Sequence, residues 1–257
     1  MAHAYQSPAF ILEHLAAAAG VAAITTANAT AAGQGVARLI DYRTAAPLLF
    51  SGSAADHDIE VDLTTTTVCQ SLYIPAGHNL GTTTVEVFSG ASSPAAVSEG
   101  TKAATAGAAF QFDWVNGTGA RFWRVAFNAS GTWSIPELVL GTETRTLVRG
   151  PDTGWDVVAR APVNVAEFPS FESTILLAPP RDAWSLRFVR MGDAADLATF
   201  DALRALGRAR PVAFLPPDSH YGWTWVRVAT DFDFSQGFPE PLSALRYTAA
   251  LELVEQL

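Results

Sequence analysis

The chain has 257 residues, a formal net charge of −9, 49% hydrophobic and only 16% charged side chains. That composition supplies a sizeable core and excludes a disordered chain. Acidity is spread evenly, with 6 basic and 11 acidic residues in 1–145 and 10 and 14 in 146–257, so no basic stripe marks a nucleic-acid partner.

The first apolar run, "AFILEHLAAAAGVAAITTA" (9–27), resembles an export signal only superficially. It lacks a basic n-region, and Glu13 and His14 interrupt it. Nothing in the chain reaches the roughly 20 apolar residues of a membrane span, and the expectation is a mature, soluble protein. Seven Trp, fifteen Phe and frequent Gly and Pro predict short strands joined by turns.

"HDIEVDL" (57–63) alternates strictly, with His57, Ile59, Val61 and Leu63 on one face and Asp58, Glu60 and Asp62 on the other. A period of two predicts a half-buried strand. With Asp56, the acids suggest a calcium cluster, but ligands on one straight strand diverge along it and no loop closes them. A solvated acidic face is the expectation. Cys69 stands alone in an apolar strand and reads as a buried, inert thiol, with assembly in a reducing cytoplasm.

"PAGHNLG" (75–81) places His78 and Asn79 between two strands. Glycine and asparagine tolerate the turn, and the Asn side chain is expected to bond local backbone. The Gly/Ala/Ser stretch 89–107 reads as a long flexible connection. "AAFQFDWV" (108–115) puts Phe110, Phe112 and Trp114 on one face, and "RFWRVAFN" (121–128) does the same with Trp123, Val125 and Phe127.

The polar "TETRTLVRGPDTGWD" (142–156) is the expected boundary, dividing the chain into domains 1–145 and 146–257. Beyond it, "DAADLATFDALRALGRARP" (193–211) is the one helical pattern. Asp193 caps its start, Leu197, Phe200, Leu203 and Leu206 share a stripe, and Gly207 and Pro211 end it, giving a helix over 193–208. In "HYGWTWVRV" (220–228), Trp223 and Trp225 fall on one strand face, with His220 and Tyr221 in the preceding turn. Aromatic rings so placed suit either a flat sugar or core packing.

The histidines His3, His14, His57, His78 and His220 have no partner at zinc spacing. No nucleophile elbow or phosphate loop occurs, and "GQG" (33–35) opens no helix. No catalytic residue, metal or cofactor is expected, and the chain reads as a non-enzyme. A β-scaffold glycoside hydrolase would need two carboxylates that meet only in the fold.

In order, "LIDYRTAAPLLFSG", "DIEVDL", "SLYIPAGHNLGTTTVEVFSG", "RFWRVAF" and "WSIPELVLG" resemble the discoidin-like (galactose-binding-like) jelly roll, in versions found in bacteriophage tail and virion proteins. The second half, "AWSLRFVRM", the helix, "PVAFLPPD", "TWVRVATDFDF" and "YTAALELVE", is similar to the tail-tube type of β-sandwich in distal and minor tail proteins. The fold expected is mainly β: an N-terminal discoidin-like jelly-roll β-sandwich followed by a tail-tube-like β-sandwich with one flanking α-helix. The resemblance implies a structural virion protein of the tail tip or baseplate, assembled in the host cytoplasm. Its partners would be copies of itself in a ring, tail tube and baseplate hub proteins, and host-surface glycan. Trp114, His220, Tyr221 and Trp223 are the candidate partner or glycan contacts. A stand-alone carbohydrate-binding module is the alternative.

Overall fold

The computed structural model describes residues 5–18, 24–26, 29–30, 36–42, 44–52, 58–115, 118–129, 131–148, 150–151, 155–160, 163–168, 171–176, 181–229, 233–237 and 246–256. His3, Asp56, His57 and the 33–35 "GQG" lie outside that set. The protein is mainly β, with antiparallel pairing throughout its registered strands. It forms two compact units, one of Met1–Thr146 with Val212–Thr224 and one of Leu147–Pro211 with Trp225–Leu257.

The first unit begins with β1 (Ala9–Ile11), the one-turn α1 (Leu15–Ala18), β2 (Ile24–Thr26), β3 (Ala29–Thr30) and a 3-10 turn at Val36–Leu39. There follow β4 (Leu48–Gly52), β5 (Asp58–Thr67), β6 (Ser71–Ile74), β7 (Thr84–Gly90), β8 (Val97–Ala103), β9 (Phe110–Asp113), β10 (Ala120–Phe127), β11 (Gly131–Ile135), β12 (Val139–Gly141) and β13 (Arg145–Thr146). A five-stranded sheet runs β2-β5-β10-β7-β8, and two three-stranded sheets run β11-β4-β3 and β12-β6-β9. One core joins all three: Ile59, Val61, Val87, Trp123 and Val125 from the first, Phe50 and Ile135 from the second, Leu72, Phe110 and Leu140 from the third. This is a β-sandwich, and the period-two alternation of β5 and β10 is what fills it.

The other face of β5 departs from the expected solvated acid row. Asp58 pairs with Arg124 at 3.1 Å, and Asp62 holds Arg121 by two bonds of 2.7 and 2.6 Å. The hydrogen bond from Arg121 holds the Asp62 carboxyl below the usual range. Glu60 is 9% exposed, accepting from the Ser93 hydroxyl and, at 2.7 Å, from the Ala95 backbone N–H. Arg124 stacks over Phe88 at 4.0 Å and donates to the Ala95 carbonyl at 2.9 Å. The segment after β7 is thus folded back over the sheet and tied to charges that the sequence pattern alone sends to water.

Nor is 89–107 a flexible connection. Its first two residues end β7 and its centre, Val97–Ala103, is β8, paired to β7 from Thr84↔Ala103 to Ser89↔Val97. Backbone pairing at a sheet edge needs no apolar side chain, and β8 is largely exposed. Cys69 is buried as expected, and burial pushes its thiol far up.

In the second unit, β14 (Asp156–Arg160), the hairpin β15 (Val163–Phe168) and β16 (Phe171–Leu176), and β17 (Arg181–Met191) lead into α2 (Ala194–Leu206). Asp193 caps α2, its carboxylate accepting from Ala195 N at 2.9 Å and Asp196 N at 3.3 Å. Gly207 ends it at φ +61°, a left-handed angle that glycine adopts freely. After β18 (Val212–Leu215) come β19 (Thr224–Val228), β20 (Asp233–Gly237) and β21 (Arg246–Glu255). In this unit β21 pairs with β17, β19 and β20, and β14 closes on β17. Phe200 of α2 meets Phe188 of β17 edge-on, centroids 4.9 Å apart.

β18 belongs to the first unit, inside the range that the sequence pattern assigns to the second domain. It lies against β1, in register from Ala9↔Leu215 to Ile11↔Ala213, while β13 takes the other edge of β1. Phe10 and Phe214 stack at 5.0 Å. A pairing across about two hundred residues leaves no local trace in sequence.

A pinned aromatic loop as candidate site

The segment after β18, Pro216 to Trp223, is where the sequence-predicted aromatics gather. Pro216 and Pro217 stiffen its start. The Asp218 carboxylate accepts from the His220 N–H at 2.8 Å, and the Asp218 carbonyl accepts from the Tyr221 N–H at 3.0 Å, closing a turn. Gln6 clasps it from the N-terminal segment. Its backbone N–H donates to the Pro217 carbonyl at 2.8 Å, and its Nε2 lies 2.8, 3.2 and 3.3 Å from the carbonyl oxygens of Pro216, Asp218 and Tyr221. Tyr5 forms a β-bridge with Asp218. The backbone is therefore set before any ligand arrives, the condition under which little ordering entropy is lost on binding.

On this frame His220 is exposed, Tyr221 and Trp223 are half-buried, and Tyr5 is 59% exposed. The His220 and Tyr221 rings stand at 88° with centroids 5.5 Å apart. Trp223 leans on Tyr73 of β6, centroids 6.2 Å apart. Residues 216–223 contain no Lys or Arg, and their one carboxylate, Asp218, is buried. Such a surface offers ring faces, an imidazole and a phenol. It suits a partner with an apolar face and hydroxyl groups.

Of the four aromatics expected here, His220, Tyr221 and Trp223 come together and Trp114 does not. Trp114 is 7% exposed and packs in the sandwich core on Phe112 and Trp123 at 5.5 and 5.9 Å. It follows β9 and continues that strand's inward face, so the alternation that groups it with Phe110 also buries it. Trp225 likewise is core, at 3% exposure. Gln6 and Tyr5 are the residues that sequence reasoning missed, since nothing near them signals a partner two hundred residues on.

His78 and Asn79 are structural. Asn79 Nδ2 donates to the Thr132 carbonyl at 2.8 Å, and its Oδ1 accepts from Ser134 N at 2.6 Å, so the side chain stitches the corner to β11 rather than to local backbone. His78 is buried, its Nδ1 accepting from Leu80 N at 3.3 Å, and burial holds its pKa below the ordinary value. A second buried polar site joins His14 Nε2 to Glu137 Oε1 at 3.0 Å, with the Tyr42 N–H 3.3 Å from the same oxygen. Burial raises the Glu137 carboxyl, and its bond to His14 offsets part of that rise. Among the described residues no group of three or more His, Cys, Asp or Glu is placed to hold a metal ion, and no helix is long and apolar enough to cross a membrane.

No family model and no curated protein sequence matches the chain. Solved structures do. One is a CBM32 module from a family 31 glycoside hydrolase of Clostridium perfringens, 13% identical, covering 46% of this chain and 92% of that one, with a TM-score of 0.40. Another is a fucose-binding module of Streptococcus pneumoniae, 16% identical, covering 45% and 87%, with a TM-score of 0.36. A third is the CBM32 of AlyQ in complex with 4,5-unsaturated mannuronic acid, 18% identical, covering 48% and 96%, with a TM-score of 0.37.

Proposed function

We propose that the protein is a non-catalytic glycan-binding protein that takes a pyranose ring on the 218–223 loop. The observation that carries this is the clasp of Gln6 on a loop whose His220, Tyr221 and Trp223 reach the surface together. Tyr221 and Trp223 supply ring faces for the sugar's C–H face, and His220 supplies a polar edge for hydroxyl groups. Each stacked ring contributes about 0.5–1.5 kcal/mol beyond buried area, so one loop binds weakly and several copies on one particle bind well. The test is a glycan array followed by calorimetry on the best ligand. Trp223→Ala and Tyr221→Ala should each weaken binding several-fold with the melting temperature held. A clean array with an intact fold would sink the reading.

A second reading places the protein in a phage tail tip or baseplate, where copies would form a ring with tail tube and hub proteins while the first unit meets host glycan. What favours it is the hairpin β15–β16, which among the described residues forms a two-stranded sheet of its own, an element of the kind that can pair or pack with a copy. Mass spectrometry and electron microscopy of virions test it. Absence from every particle would refute it.

A further inference from the structure

The three-stranded sheet β12-β6-β9 has a second face, turned away from the sandwich core. Leu72 and Ile74 of β6 belong to that core, so Ser71 and Tyr73 point the other way. Gln111 of β9 lies directly opposite Tyr73 and shares its face. This face is covered at two places. At Gly141, opposite Ser71, β1 comes so close that a Cβ would stand 2.5 Å from Ile11 Cγ2. At Tyr73 the cover is the half-buried Trp223 ring, centroids 6.2 Å apart and tilted by 50°.

Gln111 is half-buried, its Nε2 is shut off from water, and among the described residues that nitrogen donates to nothing. A primary amide has two N–H donors, and a buried donor left unmade costs stability. β9 is the edge strand of its sheet, and Lys102 Nζ holds it at the Gln111 carbonyl, 2.5 Å away. An unspent donor is therefore fixed at the rim of the sheet, next to the tyrosine that the aromatic loop covers.

We propose that Gln111 is a specificity residue of the glycan site, its amide taking the carbonyl oxygen of an acetamido group, so that the ligand is an N-acetylated aminosugar. The inference rests on the glycan reading and narrows it. With the pyranose stacked on Trp223, a turn of the indole off Tyr73 uncovers Gln111; side-chain shifts of this kind are common at binding surfaces. An acetamido group matches both things found there. Its carbonyl accepts from Gln111 Nε2, and its methyl packs on the Tyr73 ring. A hydroxyl on the same ring carbon is shorter and brings no methyl.

Calorimetry of the full chain on matched sugars tests it: N-acetylglucosamine against glucose, N-acetylgalactosamine against galactose, N-acetylmannosamine against mannose. At least one acetamido sugar should bind about tenfold tighter than its hydroxyl counterpart, the worth of one well-made hydrogen bond. Gln111→Leu keeps the bulk and Gln111→Glu the polarity, but at neutral pH neither has an N–H to give. Both should bring that pair to within about twofold of each other, with melting curves as the check on folding. Equal affinities within every pair, in a protein that does bind sugars, overturn this inference alone. So does a folded variant that keeps the wild-type preference, the result expected if Gln111 holds only a buried water. A protein that binds no sugar of the panel or of the array overturns it together with the glycan reading.

Discussion

His14 and Glu137 meet at 3.0 Å with both side chains almost wholly removed from water. They lie 123 residues apart, and their bond ties the segment after β1 to the turn before β12. Removing one partner of such a buried pair strands the other. His14→Ala or Glu137→Ala should therefore cost about 3–5 kcal/mol, while replacing both with apolar residues of similar volume should cost far less. Chemical denaturation of the two single variants and the double variant checks this. Equal losses in all three would show that the pair is not the origin.

His78 gives a pH dependence with a definite sign. Its folded pKa is depressed by burial below the ordinary 6.5, so the unfolded chain takes up the proton first. Its contribution is fully present above pH 6.5 or so and is lost as pH falls from there through the folded value. His78→Asn keeps an acceptor for Leu80 N and removes the titration. Its melting temperature should fall less steeply than that of the wild type on the acid side; parallel curves would count against the assignment.

Glu60 should behave as an anchor rather than a surface acid. Glu60→Ala leaves the Ala95 N–H and the Ser93 hydroxyl without their acceptor, at about 1–3 kcal/mol for the groups stranded. Hydrogen exchange should quicken in 91–96 before it changes in β5. Unchanged exchange there would remove the anchor role.

Gln6 offers a test of preorganisation, because it can be removed without touching a ring. Gln6→Ala should lower glycan affinity about 3–10-fold through the cost of ordering the loop and raise proteolysis within 216–223. If affinity holds while the loop loosens, the clasp is structural only.

The strands of the sandwich core and the helix α2 were open to reading, because both are written in local periods: two for β5 and β10, and an apolar stripe between Asp193 and Gly207 for the helix. The candidate loop was half legible. His220, Tyr221 and Trp223 announce themselves by residue type, whereas Gln6 is an ordinary polar residue whose meaning lies in carbonyl groups 210 to 215 positions away. Trp114 misleads for the opposite reason, since an aromatic beside a loop looks the same in sequence whether it faces water or core. Glu60 and Asn79 misled in kind: each satisfies a distant backbone, and no spacing rule records a partner 35 or 53 residues on.

The strand β18 enters the first unit from residue 212 onward. During synthesis β1 therefore leaves the ribosome with one edge open and waits through most of translation for its mate. A fragment stopped at residue 146 keeps that edge bare and lacks the whole aromatic loop, so it would be prone to aggregate and would lose the surface on which the proposed sugar contact rests, even with every other strand of the sandwich in place.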